Sequence, residues 1–384
     1  MKKKGLYLIP LGSNIKVENG KPVIGSSTHI GIGIEQLGRH FEMHSLVLNE
    51  VPVQQKQGNG SSAISVRGKT GLKTNQFIGV FRDLKAILVH NRTFYHNYKR
   101  IKEIRPDFIY ERSEYLNLQG LLIAGKLGIP HFYEGNWIHY SGIQQFYDSW
   151  FNPLAKRVEE WMYAKSTHSF LVGNQHLLLN LDEEKYSTIQ NGVSSEVVER
   201  FASHKNQFKD GEIKVCIMAS LMKHHRLDIF LDSLQYLKHK ERIKVYFIGK
   251  HFEPYLEQIP EGLKFEYPGA LPKDKLYDYL SQMNIAVISG GPFYSSFMKL
   301  FDFAAVKLAV VCPDLSNLTN NFTGEEIKFF PNENPHALAE ALDSLIESPD
   351  MTVQYGENLY QKVRNNFTWE LIYDRISEKI SQYL

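Results

Sequence analysis

Short apolar runs recur along the chain, with amphipathic segments between them. Those at 5–9, 44–48, 107–110, 131–133, 168–172, 188–190, 213–218, 244–248, 285–288, 308–311 and 327–330 are rich in Val, Ile, Leu, Phe and Tyr and lack polar alternation. Such runs predict strands covered on both faces. Helical spacing follows at 116–127, 154–164, 227–237, 273–282 and 335–346. Strands alternating with helices predict parallel sheets wrapped by helices. There are too many strands for one such sheet in 384 residues, so two Rossmann-like halves are expected. The break falls between Asn191 and Glu212, where the polar stretch 203–211 precedes a fresh strand at Ile213. Ligands of such halves bind at the carboxyl ends of the strands.

Composition narrows the class. Hydrophobic residues make up 43% and charged ones 22%, which excludes a disordered or fibrous chain. Lys and Arg total 44 against 42 Asp and Glu, which excludes a uniformly basic nucleic-acid coat. Cys216 and Cys312 are too few for a disulfide framework or a zinc site, and both sit in apolar runs, as buried thiols in a reducing compartment do. The amino terminus, three lysines ahead of an apolar stretch, imitates an export signal. That stretch is short and contains Pro10, and no small-residue cleavage site follows, so it reads as a first strand. No run approaches the roughly 20 apolar residues of a spanning helix. A cytoplasmic protein is expected.

The most informative chemistry lies at 289–302. Ser289-Gly290-Gly291 follows a strand and leads through Ser295 and Ser296 into a helix bearing Lys299 and Asp302. Glycines there let the backbone approach a ligand, and a helix amino terminus attracts phosphate. Ser295 and Ser296 are natural capping residues. Lys299 in the first turn opposes the helix dipole unless an anion shares the site. Asp302, one turn on, can accept two hydrogen bonds from a ribose diol. A capped helix with a solvated lysine is the plainer alternative.

The block Lys299-Leu300-Phe301-Asp302-Phe303-Ala304-Ala305-Val306-Lys307-Leu308-Ala309-Val310-Val311 resembles the K-L-F-E-Y-M-A-x-G-K-P-V-V signature of retaining glycosyltransferases of family four, which have the GT-B fold. Other stretches are similar in the same order. They are Tyr110-Glu111-Arg112, Ile129-Pro130 through Tyr133-Glu134-Gly135-Asn136, Asn191-Gly192-Val193, Ala219-Ser220-Leu221 with the loop to Asp228, Ile248-Gly249-Lys250, Pro268-Gly269-Ala270-Leu271 and Phe367-Thr368-Trp369. The resemblance spans nearly the whole chain and rests on order and spacing. It implies two Rossmann-like domains with parallel sheets facing across a cleft. An acceptor-side domain is expected at 1–195, a nucleotide-sugar domain at 196–366, and a last helix at 367–384 that crosses back.

By position, the resemblance implies a donor site of Ser220, Lys223, His225, Arg226, Gly269, Leu271, Tyr294, Ser295, Ser296, Lys299 and Asp302. Two departures stand out. Tyr294 occupies the place of the family's first donor-facing glutamate, and Ser220 and His225 replace its usual arginine and lysine. Lys223 and Arg226 flank these and are expected to supply the missing charge. Glu134, Asn136 and Arg112 are the candidates that orient sugar and acceptor, although Glu134 can equally pair with Arg112. His29, in the first strand–helix loop beside Thr28, is a further acceptor or phosphate candidate, with helix capping by Thr28 the plainer role of that loop.

No Asp-x-Asp triplet occurs, so a metal platform is not expected, nor any cofactor beyond the nucleotide-sugar co-substrate. The implied reaction moves a hexose-type sugar from a nucleotide diphosphate, UDP by its frequency in the family, to a glycan or lipid-linked acceptor of a bacterial surface polysaccharide or glycolipid. A non-catalytic scaffold or a nucleotide-sugar epimerase on the same fold remain alternatives.

Eleven basic residues between 51 and 105 (Lys56, Arg67, Lys69, Lys73, Arg82, Lys85, Arg92, Lys99, Arg100, Lys102 and Arg105) face only Asp83 and Glu103, with Phe81, Phe94, Tyr95 and Tyr98 interleaved. This stretch suits peripheral contact with an anionic membrane at the inner face, or a solvated face with its aromatics packed inward. No nucleic-acid motif accompanies it.

Overall fold

A computed structural model of the chain describes residues 2–10, 17–18, 21–22, 28–48, 76–144, 148–208 and 211–384. The chain divides into two compact units, Met1–Ile189 with Tyr373–Leu384, and Gln190–Ile372. Each is a parallel sheet covered by helices, as the unbroken apolar strands require.

In the first unit the strands are β1 (Lys4–Ile9), a short antiparallel pair β2 (Val17–Glu18) and β3 (Lys21–Pro22), β4 (Glu42–Val47), β5 (Phe108–Arg112), β6 (His131–Gly135), β7 (His168–Val172) and β8 (Tyr186–Ile189). The main sheet runs β4-β1-β5-β6-β7-β8, parallel throughout. Its helices are α1 (Thr28–His40), α2 (Gln76–Asn91), α3 (Phe94–Ile104), α4 (Gln119–Leu127), α5 (His139–Ile143) and α6 (Asn152–Lys165). Leu6, Leu8 and Ile109 pack with Ile101 of α3 and Ile123 of α4. Tyr7, between them in sequence, points the other way and meets Tyr110, with ring centroids 5.2 Å apart.

The second unit holds β9 (Ile213–Ser220), β10 (Ile243–Lys250), β11 (Lys264–Gly269), β12 (Ile285–Val287), β13 (Ala309–Pro313) and β14 (Lys328–Phe330). Its helices are α7 (Ser195–Arg200), α8 (Leu227–Ser233), α9 (Lys273–Leu280), α10 (Met298–Ala305), α11 (Ser316–Thr319), α12 (Pro335–Glu347) and α13 (Pro349–Asn366). The sheet order β11-β10-β9-β12-β13-β14 reverses direction between β9 and β12, and this switch point is where such sheets bind ligands. Val215 and Ile217 pack toward α8 and α12, while Cys216 packs toward α9, α10 and α13. Both cysteines are free and buried, and burial pushes their thiols up.

A last helix, α14 (Trp369–Ser381), begins in the second unit, and its residues from Tyr373 on belong to the first. Residues 190–195, read from sequence as the tail of the first domain, are held in the second. Val193 bridges Thr368, its N–H donates to the Phe367 carbonyl (3.2 Å), and the Trp369 N–H donates back to it (3.0 Å). Strand β11 escapes the apolar pattern because it is a sheet edge. It carries Lys264 and Glu266, which pair with Glu212 (3.0 Å) and Lys244 (2.8 Å), and charged edges prevent strand addition.

At the end of β10 the parallel pairing with β9 runs on to Lys250, whose carbonyl accepts the Leu221 N–H at 2.9 Å. Gly249 makes this possible with φ +131°, and any Cβ there would collide with the Ala219 carbonyl. Gly249→Ala is therefore expected to cost about 2–4 kcal/mol in urea unfolding. Asn334, whose side chain caps α12 through the Ala337 N–H (3.0 Å), should cost about 1 kcal/mol as Asn334→Ala. Equal losses in the two variants would contradict this ranking.

Candidate functional site

At the switch point of the second unit, two loops leave the carboxyl ends of adjacent strands. One runs from Ser220 to Arg226 after β9; the other runs from Ile288 to Phe297 after β12. The Ser289 hydroxyl donates to the His225 carbonyl (2.9 Å), joining them. Gly290 lies against the Arg226 stem, where a Cβ would come within 2.6 Å, and a Cβ on Gly291 would strike the Phe297 ring. Gly290 thus serves loop-on-loop packing, and Gly291 the folding of its own loop. Neither has positive φ.

Helix α10 starts at Met298, after Phe297, and no side chain caps its amino end. Ser295 and Ser296 are therefore not caps, as the sequence suggested. The Ser295 N–H closes a turn on the Pro292 carbonyl (3.1 Å), and its own carbonyl accepts from Asn317. The Ser296 hydroxyl accepts the Asn191 N–H (2.9 Å) and its carbonyl accepts Asn191 Nδ2 (2.8 Å). Asn191 is thus the anchor of this loop, a role its Asn-Gly-Val motif did not reveal.

Lys299 stands in the first turn of α10 with no hydrogen bond or ion pair among the described residues. Burial pushes its ammonium down to about 8. His224 and His225, ring centroids 4.3 Å apart, are lowered by burial and by Lys299, His225 to about 3. His225 Nδ1 accepts the Met222 N–H (3.0 Å), which puts the ring proton on Nε2. Arg226, expected to supply charge here, is engaged by two acids. Its guanidinium forks onto Asp228 (2.9–3.1 Å) and also pairs with Glu333. Lys223 is exposed, as is Ser220 at the end of β9.

Asp302 Oδ1 accepts the Tyr277 hydroxyl at 2.7 Å, which fixes the carboxylate one turn from Lys299. Tyr294 is only 8% exposed, its ring edge-on to Phe293. Gly269 ends β11 with φ +76°, and Leu271 beyond it packs on the core. Among the described residues no group of three or more His, Cys, Asp or Glu is placed to hold a metal ion. A cavity of about 450 Å³ lined by Lys205, Lys214 and Asn284 opens instead at the amino ends of the strands, away from this chemistry.

In the first unit, Glu134 is 2% exposed and its oxygens are held by the Tyr110 hydroxyl (2.5 Å), Asn136 Nδ2 (2.7 Å) and the Tyr373 hydroxyl (3.4 Å). It braces α14 against the sheet and makes no ion pair with Arg112. Arg112, at the end of β5, keeps Nη1 buried without a hydrogen-bond partner among the described residues. Beside it, His139 Nε2 meets Ser113 Oγ (3.1 Å), and burial lowers His139 to about 4. Glu159 accepts the His139 and Tyr140 N–H groups (3.0 and 2.9 Å) at the start of α5, and burial raises it to about 7. Nothing in the sequence marks this His139–Ser113–Glu159 group, because a histidine after a strand end looks like any solvated one. His29 lies in the first turn of α1; the loop 23–27 before it, the Thr28 side chain, and Lys56, Arg67, Lys69 and Lys73 lie outside the description. Of the interleaved aromatics, Phe94 and Tyr98 pack inward while Phe81 and Tyr95 face out.

No curated protein matches the sequence. Residues 228–378 match the model of a family described as glycosyl transferase-like. The structure is similar to HepE of Anabaena, solved in complex with UDP (TM-score 0.68, 13% identity, 99% of this chain and 100% of that one). It is likewise similar to sucrose-phosphate synthase from Thermosynechococcus elongatus (TM-score 0.71, 12% identity, 99% of each chain). A third likeness is to the lipopolysaccharide outer core galactosyltransferase WaaB (TM-score 0.67, 13% identity, all of both chains). What the chain shares with all three is the GT-B fold of two Rossmann-like parallel-sheet units.

Proposed function

We propose that the chain is a retaining glycosyltransferase that moves a hexose-type sugar from a nucleotide diphosphate to a glycan or lipid-linked acceptor. One observation carries this reading: a lysine without a counter-charge, lowered to about 8, at the amino end of α10 and at the sheet's switch point. An ammonium in that setting wants an anion, and unsatisfied helix N–H groups favour the same ligand. The match to a glycosyl transferase-like family over 228–378 supports the donor half of the reading. UDP is the favoured nucleotide, in keeping with the HepE structures solved with UDP, with UDP and glucose, and with UDP-glucose.

In this reading the diphosphate lies against Lys299 and the Ser295–Ser296 backbone, with the His225 Nε2–H as a neutral donor. Asp302, steadied by Tyr277, takes the ribose hydroxyls. As the bond from the anomeric carbon to the phosphate oxygen breaks, its electron pair passes to that oxygen, whose charge Lys299 and the helix dipole stabilise. The acceptor oxygen attacks from the same face and gives its proton to the departing phosphate. No divalent ion takes part. Arg112 and Asn136 orient sugar and acceptor, Glu134 acting only through Asn136. A non-catalytic scaffold is favoured by one feature, the buried Tyr294 ring where the family has a carboxylate.

UDP at 100 times its Kd should stabilise the protein by about 2.7 kcal/mol in a thermal-shift assay. Lys299→Ala and Asp302→Ala should each weaken UDP at least tenfold; unchanged affinity in both would refute the donor site. UDP release that depends on added acceptor separates the enzyme from the scaffold, and turnover should survive EDTA. Without ligand, Lys299→Met should raise stability at pH 7 by about 1–3 kcal/mol, because it removes an uncompensated cation. The sign with pH follows from the depressed folded value, about 8 against about 10.4 unfolded. Between those values the unfolded chain binds more protons, so stability rises with pH in the wild type and stays flatter in Lys299→Met. UDP affinity should fall as pH climbs past about 8, where the ammonium is lost.

A further inference from the structure

We infer that the outer face of α2 is a docking surface for an anionic phospholipid bilayer. Phe77, Phe81, Leu84 and Leu88 recur at helical spacing and form a single apolar ridge. All four are exposed, Phe81 by 59% and Leu88 by 70%. At about 1.5 Å rise per residue the ridge is about 16 Å long. Trp150, 64% exposed, extends it sideways, its ring 6.1 Å from Phe77. On the neighbouring α6, Leu154 and Trp161 are exposed as well. A globular protein rarely leaves so much contiguous apolar surface to water without a use for it.

The other face of α2 is fully committed. Gly79 packs so closely on the Asp148 carbonyl that a Cβ would collide with it. Ala86 and Ile87 pack with Ala155 and Val158 of α6. Asp83 is buried against the Tyr115 hydroxyl (2.9 Å), so its charge does not reach the outer face. Lys85, exposed beside the ridge, has no ion pair among the described residues, and neither do Arg92 after α2 and Arg157 on α6.

The occupant follows from this chemistry. An apolar ridge flanked by Lys85 and Trp150, with Arg92 just past the end of the same helix, matches the headgroup–acyl boundary of an anionic bilayer, where a helix lies in the plane with its apolar side down. Among the described residues no helix is long and apolar enough to cross a membrane, so contact is from one side. The inference goes beyond the proposed function and does not depend on the donor site.

The test is co-sedimentation of the full chain with vesicles of phosphatidylcholine alone and of phosphatidylcholine with an equal part of phosphatidylglycerol. Binding is expected at least tenfold tighter to the mixed vesicles, weakening at about 0.5 M salt, with Trp150 emission shifting to the blue. The double variant Phe81→Glu, Leu88→Glu should lose at least tenfold in vesicle affinity while keeping the wild-type urea midpoint and UDP thermal shift. Lys85→Glu should weaken binding to the mixed vesicles alone. Wild-type protein that ignores both vesicles, or a double variant that binds as well as wild type, overturns the inference. So does a wild-type dimer in sedimentation velocity that the double variant dissociates without any vesicle binding; the ridge is then a contact between copies.

Discussion

The architecture of the candidate site depends on how closely the loop after β12 approaches the loop after β9. Gly290 allows it, because a side chain there would run into Arg226, while Gly291 lets the loop fold onto its own Phe297. The Ser289–His225 hydrogen bond and the two bonds from Asn191 to Ser296 then hold the loop in place. Only with the loop so placed does α10 present its uncapped amino end and Lys299 at the switch point. Gly249, close against the Ala219 carbonyl, supports the same corner from the β10 side.

The charges around that corner are distributed unevenly, and this has chemical consequences. Arg226 is paired with Asp228 and Glu333, and its guanidinium in turn holds Asp228 below its usual range. Burial and the nearby Lys299 hold both histidines below their usual range. Lys299 alone remains without a counter-charge among these groups, in partial burial that penalises its charged form. Such an arrangement costs stability in the protein, a pattern common to binding sites.

Much of the fold was legible because parallel strands buried on both faces read as unbroken apolar runs. β1, β7, β9 and β10 announce themselves in this way. The edge strand β11 and the long polar helix α13 did not, since an edge must be charged and a helix with one buried stripe looks mostly polar. Around the candidate site, the placement of Lys299 and Asp302 one turn apart at the start of a helix after a glycine turn was legible from their spacing. The roles of Arg226, Glu134 and Asn191 were not, because each depends on partners far away in sequence: Glu333 for the first, Tyr110 and Tyr373 for the second, Ser296 for the third.

Local sequence determined the alternation of strand and helix, the doubling of the Rossmann-like unit, and the cation at the start of α10. These follow from periodicity and nearest-neighbour sterics, which act over a few residues. Tertiary structure alone decided which cations keep their charge unopposed, which carboxylates are sealed among tyrosines, and that the apolar side of α2 faces outward. Those outcomes turn on desolvation and on contacts between distant segments, and neither quantity exists until the chain has folded.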